Sequence, residues 1–133
     1  MNPPTTTVDL AELDALQREL GDDRESIPAM IAMFVADAPA HLAGLAAAVQ
    51  AEEPVAIGQA AHRLKGATRV LGLAATSAAC QELEDAARAG RGSGLQAGLE
   101  AVRAALAAAL PALQAWRPEF SRGGSRRGVA RLP

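Results

Sequence analysis

Ile57-Gly58-Gln59-Ala60-Ala61-His62-Arg63-Leu64-Lys65-Gly66-Ala67-Thr68-Arg69-Val70-Leu71 is the stretch on which the fold turns. Ile57, Ala60, Ala61, Leu64, Ala67 and Leu71 recur at steps of one, three and four, the spacing of one face of an α-helix. Pro54 suits the opening of this helix, and the segment stops near Gly72.

The flanking segments read the same way. Upstream, Ile27, Ile31, Phe34, Ala38, Leu42, Leu45 and Val49 lie on one helical face. Asp22, Asp23 and Ser26 can cap that helix, Pro28 fits its first turn, and Pro39 is expected to kink it by removing a backbone donor. Ala51-Glu52-Glu53-Pro54 is the turn between the two. Further upstream, Leu10, Leu13, Leu16 and Leu20 make a short amphipathic helix that Gly21 ends. Downstream, a helix over roughly 74–89 presents Thr76, Cys80, Leu83 and Ala87, with Leu73 beside its start. The Gly-rich run 90–94 is a loop. A last helix uses Leu95, Leu99, Val102, Leu106, Leu110, Leu113 and Trp116, with a kink expected at Pro111. Short links between long amphipathic helices predict an all-α fold, an up-down antiparallel four-helix bundle with a short N-terminal capping helix.

Composition agrees. The chain has 133 residues, of which 33 are alanine, and its aromatic residues are Phe34, Trp116 and Phe120. Alanine favours helix, and the β-branched and aromatic residues of sheet proteins are scarce. A single cysteine, Cys80, excludes an internal disulfide and a multi-cysteine metal site. The longest apolar runs, Ala104 to Leu113 among them, are too short for a bilayer, and the N-terminus lacks the pattern of a secretory signal. The expectation is a cytoplasmic protein with no membrane partner. Residues 117–133 carry five arginines against Glu119, and residues 1–116 carry eight basic against fourteen acidic residues. The expected organisation is therefore a disordered 1–7, a bundle over 8–116 and a basic, disordered tail over 117–133. An acidic body gives no reason to expect a nucleic-acid partner.

The polar face of the opening stretch needs a separate account. The apolar stripe turns Gln59, His62, Lys65, Gly66 and Arg69 away from the core. Gly58 and Gly66 stand four residues to either side of His62, although glycine costs about 1 kcal/mol in a helix relative to alanine. Side chains are thus removed above and below an imidazole, which bares it to a large partner. Lys65, at i+3, can reach a group held by the ring, and a compact ammonium binds phosphate well. A free imidazole, with pKa near 6.5, is largely neutral and nucleophilic at pH 7. Histidine, lysine and cleared surface together suit a phosphoryl carrier.

Ala61-His62-Arg63-Leu64-Lys65-Gly66-Ala67-Thr68, followed by Leu71-Gly72, resembles the signature of histidine-containing phosphotransfer (HPt) domains. These are four-helix bundles that relay phosphoryl groups between histidine kinases and receiver aspartates in two-component signalling. The resemblance covers roughly 10–116 and takes in the Ala38-Pro39 step and Cys80-Gln81-Glu82-Leu83-Glu84. It implies that His62 is phosphorylated, that Lys65 is the phosphate-side cation and that Gly66 gives clearance to the receiver. It also implies that Glu84 bonds the other ring nitrogen, with Gln81, one turn earlier, as fallback. Gly58, Gln59, Gln81, Arg63, Arg69 and Arg88 complete the partner-docking surface, although an i,i+4 pair with Glu84 explains Arg88 as well. Ala67 and Thr68 replace the small serines common in the family, and Gly58 stands where a bulkier residue is usual. The implied partners are a receiver domain and a sensor or hybrid histidine kinase. The chain is expected to act as a monomer, to bind no cofactor and to rely on Mg2+ held by the receiver.

Rival chemistries lack their residues. Di-iron bundles need paired Glu-x-x-His motifs, and zinc needs more ligands than His41, His62 and Cys80 provide. His41 reads as a packing or surface residue and Cys80 as a small buried hydrophobe. Neither a P-loop nor a Gly-x-Ser-x-Gly elbow is present, so ATP-dependent kinase activity is not expected. A bundle that binds a receiver or kinase without carrying phosphate, a helical adaptor, is the alternative.

Overall fold

A computed structural model describes residues 8–118, and the regular structure there is helical. The helices are α1 (Leu10–Leu20), α2 (Ser26–Gln50), α3 (Pro54–Val70), α4 (Ala74–Arg88) and α5 (Leu95–Ala115), with a 3-10 turn at Gly92–Gly94 before α5. The readings of 1–7 and of the tail beyond 118 lie outside the described residues.

Local chemistry sets the helix ends. The Asp9 side chain accepts from the Ala11 amide at the start of α1, and Gly21 ends it at φ 67°. The Asp23 carboxylate takes the amides of Glu25 and Ser26 and the Ser26 hydroxyl, which launches α2. Pro54 occupies the first turn of α3, where its missing N–H costs nothing. α2 and α5 run unbroken through Pro39 and Pro111.

α2 packs on α3 and α5, α3 on α4, and α4 on α5, so four helices surround one core. Ile27, Leu45, Ile57, Leu64, Leu83 and Leu106 are buried there, each worth about 1.5–3 kcal/mol relative to exposure. A Cβ at Gly98 would lie 2.8 Å from the Leu83 Cδ1, so glycine permits the close approach of α5 to α4. Gly72 has φ +75°, and a Cβ on it would meet the Asp9 carbonyl oxygen at 2.6 Å. The Asp9 amide donates to the Gly72 carbonyl, and the Trp116 indole N–H donates to the Asp14 carboxylate at 3.1 Å. These contacts tie α1 to the ends of α3 and α5.

Two sequence expectations need adjustment. In the α1 stripe Leu13 is buried, but Leu10 and Leu20 are exposed. Gln17 is buried instead, because its amide donates to the Gly21 and Asp23 carbonyls and closes the α1–α2 turn. Secondly, α2 is long and apolar enough, by length and composition, to cross a membrane. Asp37 and His41 interrupt its apolar sequence. Here Ile27, Ile31, Phe34, Ala38, Leu45 and Val49 of α2 are buried in the core.

Candidate functional site

The α3–α4 contact builds the site. His62 projects from α3 with two-thirds of its side chain exposed, and its Nδ1 lies 3.3 Å from the Glu84 Oε2 on α4. Glu84 is buried, yet three cationic or ring nitrogens converge on its carboxylate. Arg88 Nη2 donates to Oε2 at 2.6 Å, and Lys65 Nζ donates to Oε1 at 3.1 Å. Burial pushes the Glu84 carboxyl up, but the hydrogen bonds from Arg88, Lys65 and His62, with the Lys65 charge, outweigh it and hold the group below the usual carboxylate range. Ionised, it can accept a ring N–H from the Nδ1 side of His62.

A depressed carboxyl pKa links stability to pH. The Glu84 contribution is fully present above the ordinary carboxylate range and is lost as pH falls through its lowered folded value. Glu84→Gln is expected to be less stable than the parent at pH 7, with the gap closing on strong acidification. Urea melts of both proteins at pH 7 and pH 3 check this, and a gap that widens in acid contradicts it.

Lys65 corrects an expectation. The helical spacing turned it toward solvent beside His62, whereas its side chain is only 12% exposed. The four-carbon stem lies against the α3–α4 contact and carries the ammonium to α4. There Nζ donates to the Gln81 Oε1 at 2.6 Å as well as to Glu84. Gln81, the fallback partner for the imidazole, thus engages Lys65, and its own amide donates to the Asp85 Oδ1 at 2.8 Å. Sequence reasoning missed this arrangement, although one signal for it was available. Twelve of the thirteen basic residues are arginine, and Lys65 is the single lysine.

A groove of about 830 Å³ runs beside the ring, lined by Gly58, Gln59, His62, Arg63, Glu84 and Arg88 together with Pro54, Val55 and Ala87. A Cβ at Gly58 or Gly66 would meet nothing within 4 Å, so packing within the chain demands glycine at neither position. Arg69 is not brought to this groove. Seven residues beyond His62, it sits about 10 Å further along the helix and lines a separate depression with Asp9, Glu12 and Gly72. Thr68, buried, bonds the Leu64 and Lys65 carbonyls and the Ser77 hydroxyl, which fastens α3 to the start of α4.

The remaining reactive residues lie elsewhere. His41 is half-buried and stacks on Phe34 with ring centroids 6.2 Å apart. Cys80 is buried, and that burial pushes its thiol up to about 12, far from a reactive thiolate. Among the described residues no three His, Cys, Asp or Glu side chains gather as a metal-binding group.

No curated protein matches the chain. The crystal structure of histidine-containing phosphotransfer protein B (HptB) from Pseudomonas aeruginosa PAO1 is similar, with 28% identity and a TM-score of 0.75. The match covers 84% of this chain and 94% of that one. The family model of the Hpt domain matches residues 29–116, which include the whole His62–Lys65–Glu84 cluster and all of α3, α4 and α5. The chain belongs to the Hpt domain family.

Proposed function

We propose that this protein is a phosphorelay intermediate that accepts a phosphoryl group on His62 and exchanges it with a receiver aspartate. Hpt domains are phosphotransfer carriers rather than kinases, and they work with histidine kinases and response regulators. One observation carries the residue assignment: an exposed imidazole whose Nδ1 rests on a buried carboxylate, with Nε2 left free. In uptake the Nε2 lone pair forms the N–P bond as the P–O bond to the receiver aspartate breaks. The aspartate leaves with that electron pair, and the ring proton stays on Nδ1 against Glu84. Lys65 holds an oxygen of the phosphoryl group, and return of the group to an aspartate is the same path reversed. The receiver holds Mg2+, and this chain binds no cofactor.

In-line transfer requires the receiver to come close to the ring. Gly66 and Gly58 clear its path, and Gln59, Arg63 and Arg88 border the groove it meets. Arg69 lies outside that border. The four packed helices read as an up-down antiparallel bundle because the links between them are short and α1 is bonded to the ends of both α3 and α5. We assign the relay to a cytoplasmic monomer spanning 8–116. The test is a receiver domain charged with acetyl phosphate and mixed with the full chain. Acid-labile, base-stable label should pass to the chain, and failure to acquire it overturns the proposal.

A further inference from the structure

Lys65 is held between α3 and α4. Its side chain is nearly buried, and two α4 acceptors hold its ammonium, the neutral Gln81 Oε1 at 2.6 Å and the anionic Glu84 Oε1 at 3.1 Å. An ammonium has three donors, so two acceptors leave one for a phosphoryl oxygen. Gln81 is itself held, since its amide donates to Asp85, which also faces Arg88 at 3.8 Å. An amide acceptor orients the ammonium without neutralising it, whereas a second carboxylate would cancel the charge offered to phosphate.

We infer that Gln81 is a positioning residue that holds the Lys65 ammonium against α4, with one N–H left for the phosphoryl group on His62. The inference rests on the relay reading for the identity of the phosphate and adds a member that acts through Lys65 rather than on the ring. It also accounts for lysine here in a chain whose other cations are all arginine. A compact ammonium places its donors on both acceptors from one nitrogen.

The single lysine makes the test direct. In the full chain labelled with 15N, a held Lys65 ammonium should give a 1H–15N resonance, and Gln81→Met should lose it through faster exchange. Gln81→Glu, which keeps the acceptor, should retain the resonance. Transfer from a receiver charged with acetyl phosphate should slow about tenfold in Gln81→Met. The same substitution should change nothing in a Lys65→Met background. An unaltered resonance in Gln81→Met overturns the inference, and so does equal slowing in both backgrounds, the mark of a merely structural effect. A Lys65→Met chain that takes label on His62 at the parental rate overturns it too while leaving the relay reading standing. Should His62 take no label at all, the relay reading falls, and the resonance still decides whether Gln81 holds Lys65.

Discussion

Gly66→Gln is expected to melt no lower than the parent and to lose phosphotransfer by about 100-fold. The first half follows from helix chemistry and open space. Glutamine is a better helix former than glycine by up to about 1 kcal/mol, and a Cβ at Gly66 meets nothing within 4 Å. The second half follows from position. Gly66 is one turn beyond His62 on α3, where a long side chain overhangs the imidazole and holds off an approaching receiver. A misplacement near 1 Å can cost about 100-fold when the reacting atoms must align. Thermal melts and single-turnover transfer rates measured on one preparation separate the two effects. Loss of the fold would assign Gly66 to packing, and normal transfer would mean that the receiver docks on another face.

His62→Gln is expected to take no label while still binding the receiver. The replacement keeps a polar side chain at an exposed helical position, so the core and the other residues that line the groove stay in place. It removes the ring nitrogen proposed as the nucleophile. The experiment pairs label transfer with receiver binding by calorimetry. Persisting label would move the phosphoryl site to another residue. Unchanged signalling output from this variant, with Gly66→Gln damaging, would instead favour the helical adaptor.

The helices were legible because apolar spacing on the chain maps directly onto burial. Ile57, Ala61 and Leu64 fall on the buried side of α3, and Ile27, Ile31 and Phe34 on that of α2. The exposure of His62 and the open space at Gly58 and Gly66 were legible for the complementary reason, since the same stripe leaves them off the core face. What periodicity could not show is where long polar side chains go. Lys65 and Arg69 share the outward face in a helical projection, yet one crosses to Gln81 and Glu84 while the other lies beside Asp9 and Glu12. That outcome depends on what α4 and the α1 end of the bundle present, which no single-helix pattern contains. The buried Gln17 was hidden similarly, because its partners are carbonyls of the following turn.

The proposed relay has Glu84 against one nitrogen of His62 and the phosphoryl group on the other. Phosphorus and nitrogen NMR of the phosphorylated full chain, with 15N in its histidines, tests this most directly. A single phosphohistidine is expected, with phosphorus bonded to Nε2 of His62 and the proton retained on Nδ1. Phosphorus on Nδ1, or on His41, would contradict it.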